Sequence, residues 1–171
     1  LVVSETVQVF AGNLLAVVLA PGNPGGILDL AYLSQPGMRL ALAEQEAPAG
    51  IYTQEMLLRL AGYPTFGPWY REAVLANVVS YEPHVKAVLA KVLQCEVDAG
   101  IVYASDVSGK DAPELESFVV PPEVNPIIRY PIAPLVNAAQ PELAQAFIAF
   151  VLSEQGQEIL VEHGLLPAPA P

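Results

Sequence analysis

The residues that most constrain the fold are Leu40-Ala41-Leu42-Ala43 and the stretch that follows them, EQEAPAGIYTQEMLLRLAG. Four apolar residues without polar alternation read as a strand buried on both faces. After a polar loop, Tyr52, Met56, Leu57 and Leu60 recur at helical spacing and predict a helix over residues 51–61, stopped by Gly62. A strand that hands over to a helix is half of a βα unit, and the small residues Ala49 and Gly50 stand at the handover. The first backbone N–H groups of a helix have no intrahelical partner, and the helix dipole favours a negative ligand there. This is half of an oxyanion cradle, or an ordinary βα turn.

The rest of the chain repeats the alternation. Residues 7–10 and 14–19 are β-rich runs on either side of Gly12-Asn13, and PGNPGG (21–26) is a loop or hinge. Residues 28–33 predict a short helix and 38–43 the strand already described. The aromatic loop YPTFGPWY (63–70) offers Trp69 and Tyr70 as packing residues over a helix end. Residues 77–80 predict a strand, with Pro83 at a first helical position and Glu82 or Ser80 as its cap. Val85, Val88, Leu89 and Val92 then form the buried stripe of a helix, with Lys86 and Lys91 off it. DAGIVY (98–103) reads as a strand ending at Tyr103, and residues 118–120 as a further short strand. IIRYPIAPLV (127–136) is extended, and its two prolines place it at a sheet edge. A helix opened by Pro141 carries the stripe Leu143, Phe147, Phe150 and Val151, a last helix follows Ser153, and the tail LLPAPAP is expected to be mobile. The pattern is α/β with a largely parallel sheet.

A formal net charge of −11 argues against a nucleic-acid ligand. It is compatible with a small anion, because backbone N–H groups bind one without Lys or Arg. Cys95 is the single cysteine, His84 and His163 are isolated, and no metal-ligand spacing exists. No apolar run reaches membrane-spanning length. Ser105 lacks a nucleophile elbow, and Glu44, Glu46, Asp106 and Asp111 read as solvated loop charges, so no constellation supports an enzyme. The opening residues carry no signal-peptide pattern, and the start is expected to be processed, truncated or cloned.

Three features share one expected location. The helix starts at Ala49 and at Pro83-His84-Val85 each follow a strand, and Tyr103 ends one. In an open α/β sheet, ligands bind outside the carboxyl ends of the strands. Helix N-termini and a phenol supply donors only, which suits a fully ionised oxyanion. On spacing alone, Tyr103 reads as a buried strand-end tyrosine before it reads as a ligand.

The segments FAGNLLAVVLAPGNP (10–24), LALAEQEAPAGIYTQEML (40–57), HVKAVLAKV (84–92), DAGIVYASD (98–106), RYPIAPL (129–135) and PELAQAFIAFVLSEQGQEIL (141–160) carry a resemblance. In this order they resemble the periplasmic molybdate-binding proteins of ABC importers, within the type II solute-binding proteins. The resemblance implies a type II periplasmic-binding-protein lobe with a mostly parallel sheet flanked by helices, plus remnants of the other lobe. Residues 1–22 would be a first-lobe remnant with crossover strands, 23–128 the second, ligand-binding lobe, and 129–171 a crossover strand with first-lobe helices. It implies that Ala49 and Val85 donate backbone N–H groups, and Tyr103 its hydroxyl, to molybdate or tungstate. APAG carries no acid where an archaeal-type branch coordinates the metal centre, so tetrahedral binding is expected, with no cofactor. An ABC permease subunit would be the partner and the compartment periplasmic or extracytoplasmic.

The family's opening segment, which adds two hydroxyl ligands, would precede LVVSETVQVF. Without two charge-assisted hydrogen bonds of ~1.5–3 kcal/mol each, binding is expected to weaken by ~3–6 kcal/mol, or roughly 10²–10⁴-fold. The alternative expectation is a ligand-impaired truncated lobe that self-associates, as a homodimer for example, through orphaned apolar surface at residues 7–19 and 143–151. A third, the effector lobe of a transcription regulator, lacks its helix-turn-helix.

Overall fold

The chain builds two sheets and passes from one to the other at Leu14. The computed structural model describes residues 2–110, 112 and 114–169. Strand β1 (Gln8–Asn13) is the middle of a three-stranded antiparallel sheet, and β2 (Leu15–Leu19) continues directly into a five-stranded one. Along the larger sheet follow β3 (Leu40–Ala43), helix α1 (Pro48–Ala61), helix α2 (Tyr70–Ala76), β4 (Val78–Glu82), helix α3 (Val85–Leu93), β5 (Ala99–Tyr103), the single turn α4 (Ser105–Ser108) and β6 (Ser117–Val119). Strand β7 (Ile128–Ile132) then returns to β1. Helices α5 (Pro141–Leu152) and α6 (Glu154–Glu162) lead to the short β8 (Leu166–Pro167) on the other side of β1.

The larger sheet has the order β4-β3-β5-β2-β6. Its parallel part is β4, β3 and β5; β2 runs antiparallel to β5, and β6 antiparallel to β2, so the sheet is mixed. Every residue of β2 and β3 is buried, because helices cover both faces. One face sets Leu15, Val17, Leu40, Leu42 and Ile101 against Met56, Leu57 and Leu60 of α1 and Tyr70 and Val74 of α2. The other sets the smaller Val18, Ala41 and Val102 against Val88 and Val92 of α3. Gly100 lets α3 approach: a Cβ there would stand 2.6 Å from Val88 Cγ1 and 3.0 Å from Val92 Cγ2.

Several elements differ from the sequence expectation for identifiable reasons. The helix expected over 51–61 starts at Pro48, because proline is favoured at the first helical position. α3 starts at Val85 and its cap is His84, whose Nδ1 accepts the Ala87 N–H at 3.1 Å; Pro83, Glu82 and Ser80 take no part in the cap. Residues 28–33 yield a 3₁₀ helix, Leu30–Ser34, capped by Asp29. In the aromatic loop Tyr70 is buried and donates its hydroxyl to the Leu30 carbonyl, whereas Trp69 is 79% exposed. α2, absent from the sequence reading, grows out of Tyr70. The expected stripe of α5 faces outward, with Leu143, Phe147 and Phe150 exposed and only Ile148 buried. The tail pairs with β1 through Leu166–Pro167, and the Gln157 carboxamide holds Ala168 N–H and the Phe10 and Val151 carbonyls. Asp111 and the final residues 170 and 171 lie outside the described residues. Strand β7 sits at a sheet edge, as its prolines predict.

Candidate functional site

The parallel strands β4, β3 and β5 end at one edge of the larger sheet, and each end leads to one of the expected site residues. After β3 the chain turns through residues 44–47, with Ala47 N–H on the Glu44 carbonyl, and enters α1. The turn is tight because position 50 is glycine: a Cβ there would collide with the Glu44 carbonyl. The N-cap Ala47 has no side-chain oxygen, Pro48 has no N–H, and among the described residues no acceptor reaches the N–H of Ala49 or Gly50. Ala49 is 4% exposed. A helix end with open donors is an electropositive spot without any charged side chain.

α3 repeats the arrangement after β4. His84 occupies the Ala87 N–H, while the N–H groups of Val85 and Lys86 find no acceptor among the described residues. The ends of β3 and β4 are joined by Glu44 N–H on the Glu82 carbonyl at 2.8 Å, so the two helix starts are neighbours along the edge.

Tyr103 closes β5, opposite Leu15 of β2, and is half-buried. Burial first, then the neighbouring Tyr130 and Tyr52 phenols and the Asp106 carboxylate, push its hydroxyl up to about 12. The phenol therefore stays protonated, and a donor, throughout the ordinary pH range. Tyr52 belongs to the start of α1 and packs against the same core cluster as Tyr103. Asp106 accepts the Tyr103 N–H at 3.1 Å and lines one cleft with Lys86, from the start of α3. Ala49, Val85 and Tyr103 thus lie along one edge of the sheet.

Asp106 is not the solvated loop charge expected from sequence. It is partly buried, and burial raises its carboxyl above the usual range despite the Tyr103 N–H and Lys86. Glu44 and Glu46 are exposed as expected. Sequence reasoning missed Asn13 and Tyr130. Asn13 is 1% exposed; its Nδ2 donates to Ser105 Oγ at 2.8 Å and to Tyr130 Oη at 3.3 Å. The available signal was an amide interrupting an apolar run, since a buried polar side chain must find partners. Thr53 lies one turn after Ala49 on the same helix face; it is 1% exposed, and its hydroxyl has no partner among the described residues.

A cleft of about 390 Å³ opens beside this edge between α3, α4 and the end of α6, with Lys86, Ser105, Asp106 and His163 on its walls. Ala49, Val85 and Tyr103 do not line it. Among the described residues, no cluster of His, Cys, Asp and Glu could hold a metal ion, and no helix is long and apolar enough to cross a membrane.

The family model of the bacterial extracellular solute-binding protein matches residues 1–166. The molybdate-binding protein ModA of Mycobacterium bovis is 32% identical over 155 residues, covering 91% of this chain and 54% of the relative. The chain spans about half the length of the curated relatives it matches. The substrate-binding domain of a putative molybdenum ABC transporter from Clostridium difficile superposes with a TM-score of 0.77 at 26% identity, over 99% of this chain and 69% of that one. The periplasmic molybdate-binding protein of Azotobacter vinelandii shares the fold at a TM-score of 0.75 and 16% identity, over 98% and 71% of the two chains. The chain belongs to the bacterial extracellular solute-binding protein family.

Proposed function

We infer that this chain is the anion-holding part of an extracytoplasmic receptor that delivers a tetrahedral oxyanion, molybdate or tungstate, to an ABC permease. The carrying observation is the uncapped start of α1: buried Ala49 and the adjacent Gly50 present N–H groups with no acceptor, at the strand edge where α3 begins and Tyr103 ends β5. In this reading Ala49 and Val85 donate backbone N–H groups and Tyr103 its hydroxyl. Donors alone favour a doubly ionised anion over a protonated one, whose hydrogen would need an acceptor. The names of the relatives support the choice of molybdate.

The larger sheet with its helices, which takes in β2 (Leu15–Leu19) as well as roughly residues 23–127, serves as the ligand lobe, so the boundary expected at residue 22 moves back to the crossover at Leu14. Residues 1–14 and 128–171, with the smaller sheet, supply the crossover and part of a second lobe. Titrating the chain with molybdate, tungstate and, as control, sulfate by calorimetry tests the reading. Tyr103→Phe removes one hydrogen bond to a charged ligand, which is worth ~1.5–3 kcal/mol, so molybdate affinity drops by roughly 10–150-fold while the melting temperature holds. Equal affinity in the variant overturns the assignment of Tyr103. Because burial keeps the phenol neutral, affinity stays level from about pH 7 to about pH 10.

A further inference from the structure

We propose that Asn13 is a positioning residue: its side-chain amide latches the crossover between the two sheets to the turn that carries Tyr103, so that sheet orientation and presentation of the phenol change together. The part concerning ligand rests on the function proposed above; the latch itself stands on geometry.

Asn13 is the last residue of β1, and after Leu14 the chain is already in the other sheet. All four of its hydrogen-bonding positions are used. The two Nδ2 hydrogens go to Ser105 Oγ and Tyr130 Oη, while Oδ1 accepts the N–H of Leu14 at 2.9 Å and of Ser105 at 3.4 Å. Ser105 begins the turn after Tyr103, on the larger sheet. Tyr130 belongs to β7, opposite Ala11 in the smaller one. One buried amide therefore holds a residue of each sheet at the point where they join.

The turn transmits what the amide fixes. Ala104 N–H donates to the Leu14 carbonyl at 2.8 Å, and Asp106 clamps the Tyr103 N–H, so Ser105 cannot shift without moving the backbone that aims Tyr103. Both hydroxyls accept from Asn13, which leaves the hydrogens of Ser105 and Tyr130 to be donated elsewhere. An apolar residue at position 13 would satisfy packing in the run FAGNLLAVVL, but none could bridge the sheets.

Cys95 is the chain's one cysteine and is exposed on the larger sheet's side, which gives a direct test. Spin labels at Cys95 and at Arg129→Cys on β7 report the distance between the sheets by pulsed electron resonance. The latched chain gives one narrow distance distribution. Asn13→Ser broadens or shifts it, molybdate affinity falls about tenfold or more, and the thermal midpoint drops because Ser105 and Tyr130 lose their shared partner. Tyr130→Phe and Ser105→Ala each remove one arm and produce part of the same change, so they decide the matter if Asn13→Ser does not fold. An unchanged distance distribution in these variants overturns the latch, and a changed distribution with unchanged affinity overturns its coupling to the phenol. If the labelled parent binds no molybdate, the proposed function fails on its own. The distance then still judges the latch, and the Tyr103 ring resonances, shifted in Asn13→Ser or not, judge the coupling.

Discussion

The two sheets of this protein meet opposite fates. In the five-stranded sheet, β2 and β3 are buried along their whole length, since α1 and α2 cover one face and α3 the other. Beside the three-stranded sheet, α5 carries a sequence more apolar than α3, yet Leu143, Phe147 and Phe150 are exposed at 62%, 59% and 46%. Leu135 and Val136, in the segment between β7 and α5, are exposed as well. Apolar composition therefore states a demand for burial, and whether it is met depends on what else is packed there.

Substitutions should separate the two regions by size of effect. Leu57→Ala in the covered core leaves a cavity and lowers stability by ~2–5 kcal/mol, read from a denaturant midpoint at constant slope. A loss under about 1 kcal/mol would mean that the covered face repacks freely. Gly100→Ala drives a methyl into Val88 and Val92, for a loss of ~1–3 kcal/mol. Phe147→Ser on α5 changes stability by less than about 0.5 kcal/mol in the monomer. A larger loss, together with a concentration-dependent sedimentation coefficient that Phe147→Glu abolishes, would show that a second copy covers this face.

Acid sharpens the same contrast at the far edge of the larger sheet. Asp98 is buried, which by itself pushes its carboxyl up, but the Arg39 side chain and N–H more than offset this and hold it below the usual range. Asp98 therefore contributes stability that is complete above the unfolded carboxyl value of 3.8 and drains away as pH falls through the lower folded value. Melting followed into acid should show the parent losing stability faster than Asp98→Asn, which is less stable at neutral pH and flatter below about pH 4.

Much of the larger sheet was legible in the sequence. LALA and GIVY are runs without alternation, and such runs are buried on both faces. The start of α1 was displaced by only a few residues, because Pro48 fixes it. Tyr103 could be placed at a strand end, but its sharing one core cluster with Tyr52 and Tyr130 could not, since they arrive from a helix and from another sheet. Asn13 reads as punctuation in a linear chain and becomes a buried bridge only when Ser105 and Tyr130 are folded against it.

The sequence by itself determined the alternation of strands and helices and the donor-rich handover at Ala49, because periodicity, proline and the absence of a capping side chain act over a few residues. Only the tertiary structure decided that β2 and β6 run antiparallel, that α5 turns its apolar face outward, and that Asn13 joins two sheets. Direction, exposure and partnership are set by contacts between residues far apart in the chain, and no local pattern encodes them.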